Sequence, residues 1–523
     1  MNKALGDTFL GLDLSTQQLK ATLTDKDSNV ILEKSVAFDE DLPEFKTKGG
    51  VCVGKNGRVT VPVRMWVKAL DLLLQKLKNS EIEFSKIRAI SGAAQQHGTI
   101  YWSNGSLNFG ETLSSEKSLY EQLQKSFALE DSPIWQDMST TQQCEALEKH
   151  IGGPQELANI SGSKAYERFS GNQIAKIYQD YPDVYKNTER ISLVSSFLAS
   201  LFLGSYAPID VSDGSGMNLL NIWQKTWEHQ LLDACAPDLE NKLGGVVENG
   251  SRLGCIHSYF VQRYGFRKDS LVINFTGDNP ATVLSMNLSE GDAVVSLGTS
   301  DTVLMHLSNP SPSTFASILC HPSNSNSHMG LICYNNGSLT RQFIRDEYAN
   351  KSWDEFNNLV EQILPGCQDR IGFYGSNNSD SIRIEQGSVV PEFSDPTLNT
   401  RAVLESRFLS MYMKCMQLGL RTKRVFAVGG AASNDSILQV LADIFGVPIY
   451  KFAFGNSASL GASYLARLGF LKALDPGKQF HDLGIKDTSQ LSKQPNLDNH
   501  QTYSGLLEKF SEASKKWDRI ELS

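Results

Sequence analysis

The 523-residue sequence contains no CxxC, no Cys/His pair at metal-ligand spacing, no run of Lys and Arg, and no GxGxxG. Eight scattered cysteines without such spacing argue against a disulfide framework or a zinc site and predict reduced thiols. A formal net charge of -9 without a basic cluster predicts no nucleic-acid partner, because phosphate backbones reward grouped cations. The most apolar run, Ile191 to Gly204, is too short to span a bilayer and carries four serines, so a buried helix is expected and no membrane partner. The amino terminus MNKALGDTFLGLDLS has an acidic residue at Asp7 and no uninterrupted apolar core, so the expectation is a cytoplasmic chain without a secretory signal. Gly49 to Asn56, GGVCVGKN, imitates a phosphate-binding loop. It ends in Asn56 where a magnesium-binding hydroxyl is needed, and a polar segment precedes it where a buried strand belongs.

Apolar content of 40% and charged content of 20% supply ample material for buried cores, and the length predicts two or more large domains. Phe9 to Asp25 reads as strand, polar turn, strand, with Asp13, Ser15, Thr16, Gln17 and Gln18 in or beside the turn. Ala293 to His306 repeats that layout around Gly298-Thr299-Ser300-Asp301, which predicts two related domains meeting between Asp278 and Ala293. Met65, Trp66, Ala69, Leu70, Leu73 and Leu77 share one face of a predicted helix. Ile87 to Ala94 reads as a strand ending in Gln95-Gln96-His97-Gly98, polar groups that need a ligand or one another.

Leu271 to Phe275 reads as a buried strand stopped by Thr276-Gly277-Asp278-Asn279-Pro280. Asp278 at that strand end is open to two readings, a general base or the N-cap of the next helix. Asp210 to Leu219, DVSDGSGMNL, reads as a connector, and Arg168 as a solvated charge beside an apolar stripe. Arg424 to Ala442 reads as strand, Gly429-Gly430, small Ala431 and Ala432, a Ser433/Asn434 cap and a helix, a turn that lets a ligand approach the backbone. Gly455 to Ala462, GNSASLGA, fits a second such helix entry or tight helix packing equally well.

The segments LDLSTQQLK, AQQHG, FTGDNPA, VSLGTSD and VGGAASN occur in an order that resembles the FGGY carbohydrate kinases. AYERFSGNQIAKIY, RISLVSSF and VSDGSGMNLL resemble the eukaryotic xylulose kinase branch. The resemblance spans Phe9 to about Gly469. It implies an α/β fold of two ribonuclease-H-like (actin-like ATPase) domains flanking a deep catalytic cleft. The sugar-binding domain would comprise residues 1–286 and the ATP-binding domain 287–523. It further implies ATP-dependent phosphorylation of D-xylulose at its 5-hydroxyl, with Asp278 as base and His97, Arg168, Asp278 and Asn279 on the sugar. Trp353, Gly430, Ala431 and Asn434 would meet the nucleoside, and Gly298, Thr299, Ser15 and Thr16 the phosphates. Asp13 would hold Mg2+ directly or through water. Another ketose or polyol, or a catalytically silent sugar-binding relative, are the alternatives, and a monomer or homodimer is expected.

Overall fold

A computed structural model describes residues 6–80, 82–106, 109–375, 381–452 and 457–521, with side chains as far as Lys515. Gly455 and Asn456 of the GNSASLGA segment lie outside the described residues. The chain forms two compact units. The first comprises residues 1–287, 312–328 and 456–486, and the second 288–311, 329–455 and 487–523.

The first unit is built on a mixed sheet. Its strands are β1 (Thr8–Leu14), β2 (Gln18–Asp25), β3 (Val30–Ala37), β4 (Ile87–Ala94), β5 (Arg252–Cys255), β6 (Leu271–Ile273) and β7 (Thr276–Gly277). Spatial order is β5-β6-β4-β1-β2-β3, with β7 also paired to β4. β1, β2 and β3 are antiparallel neighbours, whereas β4 runs parallel to β1 and β6 runs parallel to β4. β1 is buried at every position, as expected of a central strand covered on both faces. The helix Val63–Lys78 turns the stripe of Met65, Trp66, Ala69, Leu70, Leu73 and Leu77 fully inward.

Two expectations are modified by pairing. The run from Ile191 is divided between a strand, Thr188–Leu193, and a helix, Val194–Leu203, because Ile191 pairs with Tyr101. Thr276 and Gly277, expected as turn residues, extend the sheet opposite Ala93 and Ala94. Residues 49–56 lead into the strand Val59–Pro62 and not directly into a helix N-terminus, in keeping with the rejection of a phosphate-binding loop there.

The helix Ala458–Leu474 belongs to the first unit although it lies far along the chain. Small residues permit its close approach: Ala458 and Ala462 cluster with Ala93 of β4 and with Ala281 of the helix Asp278–Met286. A Cβ on Gly461 would lie 1.8 Å from the Ala281 carbonyl oxygen, and one on Gly11 of β1 would lie 2.0 Å from the Ser459 carbonyl. The Ser457 side chain caps the helix by accepting the Leu460 N–H. Tight packing thus accounts for the small residues Ala458, Gly461 and Ala462. Gly461→Ala should push the Asp278–Met286 helix away and lower stability by about 1–3 kcal/mol, visible as a lower thermal midpoint. An unchanged midpoint would mean that this contact is slack.

The second unit repeats the topology. Its strands are β8 (Asp292–Leu297), β9 (Asp301–Leu307), β10 (His328–Tyr334), β11 (Arg424–Val428), β12 (Ile449–Phe452) and β13 (Ser489–Lys493). Its sheet contains the run β10-β9-β8-β11-β12-β13. β8 is antiparallel to β9 and parallel to β11, and β11 is parallel to β12. In both units an opening hairpin places its first strand beside a later parallel strand, the duplication expected from the two strand-turn-strand segments. The terminal helix Leu497–Glu521 buries Tyr503 and Phe510 against this unit, and the Tyr503 hydroxyl donates to Glu405.

Candidate active site

In the first unit, pairing brings the ends of β1, β4 and β7 together. Asp13 lies opposite Ala93, Gly277 lies opposite Ala94, and the polar residues after β4 continue into the same region. Gly277 is the N-cap of the Asp278–Met286 helix and Asp278 is its first helical residue, which replaces the N-cap reading of Asp278. The Asp278 carboxylate instead accepts the N–H of Asn279 at 2.8 Å. Burial, followed by the nearby charge of Asp13, raises the Asp278 carboxyl from its ordinary value of 3.8 to about 8. A group held so high binds a proton more strongly than a solvated carboxylate does.

Asp13 is 9% exposed, and burial raises its carboxyl to about 6 against the lowering effects of a Ser15 hydrogen bond and the Lys20 charge. Its Oδ1 is buried and has no hydrogen-bond partner. An orphaned carboxylate oxygen next to a second acid fits a hard dication that keeps several waters, as magnesium does. Among the described residues, no group of three or more His, Cys, Asp or Glu side chains is gathered as a metal site.

His97 sits beyond the end of β4 with a left-handed φ of 72°. Its ring stacks on Phe169 at 4.5 Å, and its Nδ1 lies 2.8 Å from the Gly216 carbonyl oxygen. A carbonyl only accepts, so Nδ1 carries the proton and Nε2 is left as an acceptor. Burial, assisted by the positive charge of Arg168, lowers the His97 pKa to about 3 and keeps the ring neutral. Arg168 is half-buried with its guanidinium 4.8 Å from the Tyr166 ring centroid. Among the described residues no carboxylate lies within ion-pair distance of Arg168, and its positive charge acts on His97. Asn279 donates through Nδ2 to Gln96 Oε1 at 2.9 Å, which ties the start of the helix to the end of β4.

Ser15 and Thr16 lie in the β1–β2 turn. Thr16 Oγ1 accepts a hydrogen bond of 2.9 Å from the indole N–H of Trp135. Trp135 is 41% exposed, and nothing in the sequence near it signals that it reaches a turn 119 residues away.

In the second unit Gly298 and Thr299 lie in the β8–β9 turn, where the Gly298 carbonyl accepts the Ser338 N–H at 3.0 Å. Behind the turn, Asp301 is fully buried and bound by both terminal nitrogens of Arg341 at 2.7 and 2.9 Å. Gly429 has φ +88°, and a Cβ there would lie 2.7 Å from the Leu297 carbonyl oxygen. Gly430 has open space where its Cβ would be. Asn434 caps the helix Asp435–Phe445 through the Ile437 N–H and donates to Asn357 Oδ1 at 2.7 Å. Asn357 belongs to the helix Trp353–Gln362, which begins at Trp353, 37% exposed with the Arg345 guanidinium 4.9 Å from its ring. Trp353, Gly430, Ala431 and Asn434 are thus carried by connected elements of one unit.

The profile of the N-terminal domain of the FGGY family of carbohydrate kinases matches residues 123–285, and that of the C-terminal domain matches residues 293–469. The xylulose kinase of Rattus norvegicus is 46% identical over 524 aligned residues, covering 97% of this chain and 96% of that protein. Xylulose kinase 2 of Arabidopsis thaliana is 44% identical, covering 88% of this chain and 87% of its own length. A crystal structure of a xyloylose kinase from Brucella ovis matches with a TM-score of 0.79 at 18% identity, covering 98% of this chain and 100% of that one. The duplicated sheets have the actin-like ATPase fold, and the protein is a carbohydrate kinase. The chain belongs to the FGGY family. Among the described residues, no helix is long and apolar enough to cross a membrane.

Proposed function

We propose that this chain phosphorylates D-xylulose at its 5-hydroxyl using ATP, with Asp278 as general base. The observation that carries the reading is the set of acceptors held at the strand ends of the first unit. Asp278 has a raised proton affinity, His97 presents a lone pair on Nε2, and Asn279 stands beside them. Acceptors of this kind suit the hydroxyl hydrogens of a sugar, while Arg168 supplies a donor for its oxygen atoms. The similarity to the xylulose kinases of Rattus norvegicus and Arabidopsis thaliana supports xylulose as the substrate.

Phosphoryl transfer depends on positioning and charge neutralisation more than on covalent chemistry. Asp278 takes the proton from the sugar hydroxyl as its oxygen attacks the γ-phosphorus. His97, Arg168 and Asn279 hold the sugar so that this hydroxyl faces the carboxylate. Trp353 lies beside the base, while Gly430, Ala431 and Asn434 receive the adenosine. Ser15 and Thr16 in the first unit, and Gly298 and Thr299 in the second, offer amides and hydroxyls of the kind that donate to phosphate oxygens. Magnesium would be held by Asp13, and when bound it neutralises phosphate charge.

Incubation with Mg-ATP and a panel of ketoses and polyols tests the assignment. D-xylulose should have the highest kcat/KM. Faster turnover of ribulose or glycerol would replace the substrate, and turnover of none would indicate a silent relative.

A further inference from the structure

A buried row of polar side chains runs behind the sugar-facing residues. Asp213, in the segment read from sequence as a connector, is 1% exposed, and Gln96 is 3% exposed. Asp213 Oδ1 lies 3.2 Å from Gln96 Nε2, and Asp213 Oδ2 accepts the Ser195 hydroxyl at 2.6 Å. Gln96 Oε1 accepts from Asn279 Nδ2 at 2.9 Å, and that same Nδ2 lies 3.3 Å from Asp278 Oδ1. Space for the row is made by Gly277, where a Cβ would lie 2.6 Å from Gln96 Cγ and 2.8 Å from Asp213 Oδ1.

Donor and acceptor rules give this row a direction. An ionised carboxylate can only accept, so Gln96 must turn its NH2 group toward Asp213 and its oxygen toward Asn279. Asn279 must then answer with its own NH2 group. No protein donor reaches its carbonyl oxygen among the described residues, which leaves that oxygen available as an acceptor. We propose that Asp213 is a positioning residue that acts through Gln96 to fix the Asn279 amide, so that its oxygen receives a hydroxyl of the sugar. The inference rests on the proposed sugar site and extends it to two residues that do not themselves touch the reacting atoms. Asp210 and Asp278 are the other carboxylates near Asp213. Asp210 holds the Asp213 backbone N–H at 3.1 Å and is satisfied by Thr276 and Asn274.

The test is initial-rate kinetics with Mg-ATP and D-xylulose, or whichever sugar the wild type prefers. Gln96→Met cuts the row without changing side-chain length. It should raise KM for the sugar about tenfold while KM for ATP stays within about twofold. The pair Gln96→Glu with Asp213→Asn moves the negative charge one position along. The relocated carboxylate then accepts from both neighbouring amides, the direction at Asn279 is preserved, and KM for the sugar should lie within about threefold of wild type. Sugar affinity unchanged in Gln96→Met, a double variant as impaired as Gln96→Met, or a parallel rise in both KM values would each overturn the relay. Should Gln96→Met fail to fold, Asp213→Ala removes the other end of the row and carries the same expectation. A wild type that turns over no sugar refutes the functional reading itself, whereas wild-type turnover with an indifferent Gln96→Met refutes only the relay.

Discussion

Asp278→Asn is expected to lower kcat by about 10²-fold or more, with sugar binding retained. The substitution is nearly isosteric and keeps a side-chain oxygen to accept the Asn279 N–H, so the first turn of the helix remains in place. Gly277, not Asp278, is the N-cap, so no cap is lost. What disappears is a carboxylate with a proton affinity raised by burial and by Asp13. The sign of the stability effect separates this role from a structural one. The folded chain holds the Asp278 proton more tightly than the unfolded chain, so ionisation costs stability progressively as pH rises from 3.8 to about 8. Asparagine abolishes that cost. The variant should therefore melt no lower than wild type at pH 8 while being catalytically impaired. Near-normal turnover would remove Asp278 from the chemistry, and a lowered midpoint would assign it to the fold.

How much of this was legible in the sequence depends on the range of the interactions. Local periodicity sufficed for the helix Val63–Lys78 and for both opening hairpins, because burial of one stripe or alternating face is written in neighbouring residues. The strand end at Gln96 and His97 was visible as polarity placed where a buried strand stops. Asp213 was read as part of a connector because its partners, Gln96 and Ser195, are 117 and 18 residues away. The same limit hid Trp135, and it left open the role of Ser459, whose hydroxyl meets that of Thr22 across 437 residues. Asp278 illustrates a finer limit. Composition placed a carboxylate at the junction, but only the pairing of Gly277 with Ala94 shifted the cap by one residue.

Adjacent glycines in the second unit allow a steric test of the nucleotide site. Gly429 is required by the protein itself, since it has φ +88° and a side chain there would strike the Leu297 carbonyl oxygen. Gly430 has no such reason, because its Cβ would meet nothing within 4 Å and the residue is exposed. If a nucleoside approaches the backbone at this turn, absence of a side chain at 430 serves the ligand. Gly430→Val should then leave the thermal midpoint unchanged and raise KM for ATP about ten- to a hundredfold, the equivalent of about 1–3 kcal/mol of overlap. KM for the sugar, read in the first unit, should stay within about twofold. Gly429→Ala should instead lower stability, because both its backbone conformation and its contact with Leu297 become unfavourable. Equal increases in both KM values for Gly430→Val would place the nucleoside elsewhere, and an unchanged KM for ATP would mean that the open space at Gly430 is solvent in the working complex as well.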